Sequence, residues 1–238
     1  MAQTDGAAIH PPRIARPNHV KSCKSCSAIL LAAGQSSRMG AFKPLLPFGN
    51  KTVVECCIDY LREGGVDRIV VVLGHRADEL RQKLSRPAVS FAFNPNPTSE
   101  MGASIAAGIQ QLPESAKATL IALTDHPAVP ASVVKTLIEE WTKGARIVIP
   151  TWRNRGGHPV LVDLGFKPEL LTLSSTGGLR TLFQNHRGEV LRVEVDSPFI
   201  ARDMDTWDDY RALHQEVTGE PAPEPQRNKT NESLDTHI

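Results

Sequence analysis

The stretch SAILLAAGQSSRMG, residues 27–40, joins a short apolar segment to a loop of glycine and other small residues. The apolar run has the length of a buried strand. A loop after such a strand lies where an open α/β sheet presents its ligand crevice. Gly34 and Gly40 allow a tight backbone path, so N–H groups can converge on phosphate oxygens. With Arg38 and Lys43 as cationic donors, the sequence predicts a phosphate-binding loop at the first strand.

Two common phosphate-binding motifs do not fit this loop. The dinucleotide fingerprint needs a glycine where Ser36 stands. The NTPase P-loop, counted from Gly34, needs glycine and lysine where Met39 and Gly40 stand. The alternative to a phosphate-binding loop is an ordinary strand-to-helix turn, in which Arg38 and Lys43 are solvated side chains.

Strands and helices alternate after the loop. Apolar, β-branched runs at 68–73 and 118–123 predict strands, and helical spacing at 52–62 and 131–143 predicts helices. This alternation is typical of βαβ units. It predicts an α/β fold: a single three-layer α/β/α domain with a mostly parallel, Rossmann-like sheet.

The two ends of the chain differ from this pattern. Residues 1–27 and 218–238 contain several prolines and no periodic apolar pattern, so we expect disordered tails. The domain is therefore expected to span residues 28–217.

Composition excludes several classes of protein. The 238 residues include 27 Lys and Arg against 26 Asp and Glu, and this balance argues against a nucleic-acid partner. The apolar runs are far shorter than the ~18 residues of a membrane span, and no signal peptide is evident. Four cysteines are too few for a disulfide framework. We expect a cytoplasmic protein without a membrane partner.

Acidic residues stand at two places that suit a metal. Asp125 directly follows the predicted strand at 118–123, and Asp203 and Asp205 precede Thr206, a plausible helix N-cap. Asp125 and one of the later pair together could hold Mg²⁺, which takes a few carboxylates and completes its octahedron with phosphate oxygens and water. The open alternative is that these carboxylates hydrogen-bond their own turns.

The loop with Lys43 resembles the signature of the nucleotidyltransferases that attach a nucleotide to the molybdenum cofactor, and most closely that of their cytidylyltransferase branch. The resemblance extends from about residue 28 to residue 213. Further motifs follow in the family's order: Asn94 with MGAS at 101–104, LTDHP at 123–127, GHPV at 157–160 and DMDT at 203–206. This resemblance implies a domain of the nucleotide-diphospho-sugar-transferase type, which agrees with the alternation of predicted strands and helices.

The resemblance also implies a set of site residues. Arg38, Lys43 and Asp125 would be catalytic, and Asp125 and Asp205 would bind Mg²⁺, with Asp203 as a substitute or neighbour. Gly157, His158 and Pro159 would contact the acceptor. The residues implied for nucleotide binding are Leu31, Ala32, Ala33, Gly34, Arg38, Gly40, Lys43, Gly74, Asn94, Gly102 and Ser104.

The expected reaction is Mg²⁺-dependent transfer of CMP from CTP to the terminal phosphate of molybdopterin or the molybdenum cofactor, with release of pyrophosphate. A molybdenum hydroxylase or its maturation factor is a possible partner. Ala33 stands where guanylyl enzymes carry glycine, which favours CTP over GTP. The alternatives are guanylyl transfer, a sugar phosphate or another small phosphate as acceptor, and a non-catalytic nucleotide-binding or cofactor-delivery module.

Overall fold

A central sheet of eight strands organises the fold. The computed structural model describes Cys23 and residues 25–34, 39–85, 88–96, 101–173 and 177–223. Within these residues the strands are β1 (Cys26–Leu31), β2 (Pro47–Phe48), β3 (Lys51–Thr52), β4 (Arg68–Leu73), β5 (Ser90–Phe93), β6 (Ala118–Leu123), β7 (Ile147–Trp152), β8 (Arg155–Gly156), β9 (Val160–Asp163) and β10 (Val190–Glu194).

The main sheet has the order β10-β7-β9-β6-β1-β4-β5, and β8 pairs with β7. β1 pairs in parallel with both β4 and β6, and β5 and β10 pair in parallel with β4 and β7. From β1 the chain adds β4 and β5 on one side, whereas β6, β9, β7 and β10 lie on the other side. The strand order therefore switches direction between β1 and β6. Ligands bind at such points in open α/β sheets.

β9 is the exception to the parallel order, since it runs antiparallel to β6 and β7. After β7 the chain turns back through Arg153 and Asn154, whose φ angles are 50° and 65°. Two successive residues with positive φ are typical of the tight turns that join antiparallel strands. β8 then pairs with β7, and β9 follows in the reversed direction.

Helices cover both faces of the sheet. Ala28 and Leu30 of β1 lie in one core cluster, and Ile29 and Leu31 lie in the other. The helices of the described residues are α1 (Val53–Glu63), α2 (Ala77–Lys83), α3 (Met101–Gln110), α4 (Ala131–Thr142), α5 (Lys167–Leu171), α6 (Gly178–Asn185) and α7 (Trp207–Thr218). The first cluster includes side chains of α1, α2 and α4, and the second those of α3, α5 and α6. The predicted three-layer, mostly parallel α/β domain is confirmed.

The first strand and the last helix mark the ends of the regular structure in the described residues. β1 begins at Cys26, and α7 ends at Thr218 with Gly219 as its C-cap. We predicted disorder for residues 1–27 and 218–238. Of these, the structure describes only Cys23, 25–27 and 218–223; the others lie outside the described residues. Among those described, no helix combines the length and the apolar composition that crossing a lipid bilayer requires.

Candidate functional site

A cavity of about 270 Å³ opens where β1, β5 and β6 end. These strands share one direction, so their following loops meet at the same edge of the sheet. Seven residues singled out from the sequence line this cavity: Leu31, Ala33, Gly34, Lys43, Asn94, Ser104 and Asp125. The structure therefore brings the glycine-rich loop, the first acidic position and the start of α3 into one site.

The start of the glycine-rich loop is held on both sides. The Ala32 backbone N–H donates to the Val72 carbonyl over 3.0 Å, and Ala32 is buried behind the cavity. A Cβ at Gly74 would lie 2.8 Å from the Ala33 carbonyl oxygen. Gly74 thus allows the end of β4 to approach the loop closely, and it does not line the cavity itself.

Thr124 also fixes the loop, and sequence reasoning missed it. Its backbone N–H and its hydroxyl both donate to the Leu31 carbonyl, over 3.3 Å and 3.1 Å. Thr124 belongs to the LTDHP motif and lies between β6 and Asp125. This position was the sequence signal that could have indicated its contact with the loop. Other lining residues without a predicted role are Pro44, Asn96, Met101 and Leu123.

Asn94 and Ser104 form a buried polar pair on one wall of the cavity. The Asn94 side-chain amide donates to Ser104 Oγ over 2.9 Å. Asn94 Oδ1 accepts from the backbone N–H of Asn96 over 3.1 Å, and the Asn94 N–H donates to the Leu73 carbonyl. These bonds fix the orientation of Asn94 beside the first cavity.

The distant acidic segment closes onto the same site. The Met204 backbone N–H donates to the Asp125 carbonyl over 3.1 Å, which places Asp203 and Asp205 beside Asp125. Lys43 Nζ donates to Asp205 Oδ1 over 2.8 Å, and the Lys43 side chain is only 11% exposed. Lys43 therefore links the first cavity, which Asp125 also lines, to Asp205, which is not among the lining residues.

The Asp125 carboxyl lies in an unusual environment. Its Oδ1 is buried and makes no hydrogen bond in the described part of the chain, although His126 Nε2 lies 3.5 Å away. Burial raises the pKa of the Asp125 carboxyl; the positive charges near it, including Lys43, oppose this shift, and the Asp203 carboxylate adds to it. A buried carboxylate oxygen without a donor is costly unless a cation binds it.

Clusters of three or more His, Cys, Asp or Glu side chains suited to a metal are absent from the described residues. A metal site here would rest on two protein carboxylates, Asp125 and Asp205. Mg²⁺ fits such a sparse set, because it usually keeps several waters and takes phosphate oxygens from its substrate.

A second, larger cavity of about 1070 Å³ adjoins the first, and Met101 lines both. Gly102 lies in this second cavity rather than in the first, and Gly157 and His158 line it too. Pro159 is buried and lines neither. Gly157 is required by packing, since a Cβ there would lie 2.1 Å from the Ile200 carbonyl oxygen.

His158 forms a polar part of the second cavity. Its Nδ1 lies 3.5 Å from the Ile121 carbonyl. Burial, and then the nearby His126, lowers the pKa of His158 to about 4, so this imidazole is uncharged near neutral pH. Its ring centroid lies 5.8 Å from that of His126, which stands next to Asp125.

Two residues predicted to bind phosphate are not found among the lining residues, for different reasons. Gly40 is exposed, has a φ of 60° and does not line it. Arg38 lies outside the described residues.

Comparison with known proteins shows which chains this one is similar to. Curated relatives are the molybdenum cofactor cytidylyltransferase of Escherichia coli, 26% identical over 80% of this chain and 96% of that protein, and the nicotine blue oxidoreductase of Paenarthrobacter nicotinovorans, 28% identical over 79% and 96%. Among solved structures, a homolog of Mycobacterium tuberculosis Rv0371c from Mycobacterium sp. strain JC1 matches with a TM-score of 0.73 and 30% identity, over 82% of this chain and 98% of that one.

A family model matches residues 28–193, which is more than half of the chain and includes the glycine-rich loop, Asp125 and His158. This chain belongs to the family of MobA-like NTP transferase domains.

Proposed function

We propose that this nucleotidyltransferase transfers CMP from CTP to the terminal phosphate of molybdopterin or of the molybdenum cofactor. One phosphate oxygen of the acceptor attacks the α-phosphorus of CTP, the bond between the α- and β-phosphates breaks, and pyrophosphate leaves. The observation that carries the proposal is that Lys43 and Asp125 line the cavity of the glycine-rich loop together, and that Lys43 is paired with Asp205.

The residues present fit a divalent cation, for which we propose Mg²⁺. Asp125 offers a buried oxygen without a hydrogen-bond donor, and Asp205 stands beside it. We assign both as metal ligands, with Asp203 as a neighbour whose charge adds to the site. When bound, the ion supplies Lewis-acid charge neutralisation at the phosphate oxygens.

The protein's own contribution is alignment and positive charge. The acceptor phosphate is already ionised near neutral pH, so no side-chain nucleophile is required. Lys43 lies at the cavity and would stabilise the charge that develops on the departing pyrophosphate. We also assign to Arg38 the predicted role of stabilising the pyrophosphate, and to Gly34, which lines the cavity, that of binding phosphate.

The choice of CTP is proposed to depend on Ala33. The Ala33 side chain lines the cavity and also packs against Gly74, so its methyl group narrows the space from the β4 side. A smaller pyrimidine suits this space better than a purine. The fixed Asn94 and Ser104 are placed to contact base or ribose on the other wall.

The acceptor is proposed to occupy the second cavity, with its phosphate directed to the first. Support comes from their shared boundary at Met101 and from the volume of about 1070 Å³, which exceeds what a small phosphate requires. Gly157 and His158 line this space. The relative from Escherichia coli is named for a molybdenum cofactor substrate, and this supports a pterin-type acceptor here.

Pyrophosphate release tests the proposal. CTP, GTP, ATP and UTP are each supplied with Mg²⁺, with and without molybdopterin or molybdenum cofactor. Release that needs both CTP and the cofactor supports the proposal, and release with GTP selects guanylyl transfer. Turnover only with a sugar phosphate or another small phosphate selects a different acceptor. Saturable nucleotide binding without release, across a wide acceptor panel, selects a non-catalytic module.

The cellular setting stays a prediction. A cytidylylated cofactor would be used by a molybdenum hydroxylase, directly or through its maturation factor, and we expect all of these in the cytoplasm. Pull-down from the native host with a catalytically inactive variant tests the partner.

A further inference from the structure

Three arginine side chains line the second cavity. Arg180 lies on α6, Arg187 directly follows that helix, and Arg192 lies on β10. All three are exposed to the cavity and to solvent. Three segments that are close in sequence thus direct positive charge into one space.

No carboxylate in the described part of the chain forms an ion pair with these three arginines. Aspartate and glutamate are absent from the described residues that line the cavity. The neighbouring Glu189 accepts from Arg146 Nη1 over 2.6 Å. Glu194 accepts from the Thr151 hydroxyl over 2.9 Å and from the Arg153 backbone N–H over 2.8 Å. Both acids therefore have partners away from the arginines.

The charge of the cavity comes from the arginines and not from its histidine. His158 is uncharged near neutral pH, as shown above. Arg192 Nη1 lies only 3.2 Å from where a Cβ of Gly156 would stand. The glycine thus leaves room for the guanidinium group to lie over the loop. Since the whole chain has a net charge of only +1, this cationic patch is local.

Arg192 lies far from the glycine-rich loop across the sheet. β10 is an edge strand, and β7, β9 and β6 separate it from β1. At about 4.8 Å between neighbouring strands, the backbone of Arg192 stands roughly 19 Å from β1. Arg192 is therefore remote from the strand that carries the phosphate-binding loop, and Arg180 and Arg187 share its cavity.

We propose that Arg180, Arg187 and Arg192 bind a second anionic group of the acceptor, remote from the phosphate that attacks CTP. The inference rests on the proposed function and narrows its substrate class. The acceptor is a phosphate ester with at least one further anionic group, such as a carboxylate, a thiolate or an oxyanion of a bound metal. Guanidinium groups suit such a ligand because they form paired, charge-assisted hydrogen bonds with oxyanions.

A binding experiment tests the anion site without assuming the reaction. The planar trisulfonate dye pyranine is titrated by fluorescence into the full chain, with Mg²⁺ and saturating CTP present to occupy the first cavity. In the triple variant Arg180→Gln/Arg187→Gln/Arg192→Gln, the Kd for the dye is expected to rise up to about tenfold. The rise is modest because each exposed charged contact contributes little to the binding free energy. Arg68→Gln, an exposed arginine at the start of β4, is the matched control and should bind as the unaltered protein does.

A kinetic experiment tests whether the acceptor uses the site. In the pyrophosphate-release assay, the triple variant should raise the KM for the acceptor about tenfold while the KM for CTP and kcat stay within about twofold. Added salt should raise the acceptor KM of the unaltered protein more steeply than that of the variant, because screening weakens exposed charges.

The outcomes separate this inference from the proposed function. Equal dye affinity in the triple variant and the unaltered protein overturns the anion site, whatever the reaction. Weaker dye binding with an unchanged acceptor KM overturns the assignment to the acceptor. If no acceptor releases pyrophosphate, the proposed function fails, and the dye titration alone still decides the anion site.

Discussion

Lys43 and Asp205 stand 162 positions apart in the chain, yet Lys43 Nζ donates a hydrogen bond to Asp205 Oδ1 over 2.8 Å. This contact joins the turn after the glycine-rich loop to the segment before α7. Together with the bond from the Met204 N–H to the Asp125 carbonyl, it brings the segment that carries Asp205 next to the cavity that Lys43 and Asp125 line.

Asp205→Asn should reduce kcat for pyrophosphate release about 10²- to 10³-fold, because it removes a charge placed at the reacting phosphates. The free energy of unfolding should change by about 1 kcal/mol or less, since the carboxylate is 36% exposed and the amide still accepts from Lys43. The matched control is Asp59→Asn, which removes a similar charge from the surface pair of Asp59 with Lys51. Full activity of Asp205→Asn would exclude Asp205 from the metal site.

Asp125→Asn should abolish Mg²⁺-dependent turnover and leave the protein folded. In the presence of EDTA its Tm should equal or exceed that of the unaltered protein, because a buried carboxylate oxygen without a donor is destabilising. The rise in Tm that Mg²⁺ and CTP give to the unaltered protein should be lost. Thermal unfolding with and without the ligands measures both effects. Asp203→Asn, which alters an exposed neighbour, should retain most of the ligand-induced rise.

Ala33→Gly should lower the ratio of kcat/KM for CTP to that for GTP by widening the space beside Gly74. The loss of one methyl group in an apolar contact corresponds to about 1 kcal/mol, and so to a change of roughly fivefold. Competition between the two nucleotides in one reaction gives this ratio directly. An unchanged ratio would show that Ala33 does not set the preference.

Gly74→Ala should destabilise the protein by about 1–3 kcal/mol and weaken nucleotide binding, because its Cβ would meet the Ala33 carbonyl oxygen at 2.8 Å. The loop would have to move from its position against β4. Gly188→Ala is the control, since a Cβ there meets nothing within 4 Å. Urea unfolding and CTP titration measure the two effects, and equal behaviour of both variants would contradict this account.

Much of the fold could be predicted from the sequence, because its main signals are local. The strands at 68–73 and 118–123 appear with the predicted bounds, since β-branched apolar runs between turn residues specify strands. α1 and α4 end within one residue of their predicted ends. The direction of β9 was not predicted, because it follows from the turn at Arg153 and Asn154 and from sheet pairing that local patterns do not reveal.

The candidate site, too, could be predicted only where its signals are local in the sequence. The glycine-rich loop, Asp125 and Lys43 were identified because they follow a strand closely and carry suitable charges. The role of Thr124 depends on a hydrogen bond between two neighbouring strands, and the arginines of the second cavity belong to different elements. Gly74 and Gly102 were assigned to the nucleotide, whereas their close neighbours are the backbones of Ala33 and Leu173. Such contacts depend on tertiary packing.

We have proposed that Asp125 and Asp205 hold a divalent cation and a triphosphate against the glycine-rich loop. A crystal structure of the protein with Mg²⁺ and a non-hydrolysable CTP analogue tests this. We expect one Mg²⁺ at about 2.0–2.1 Å from Asp125 Oδ1, with phosphate oxygens completing its coordination beside Lys43. A triphosphate bound elsewhere, or a cation coordinated without Asp125, would contradict it.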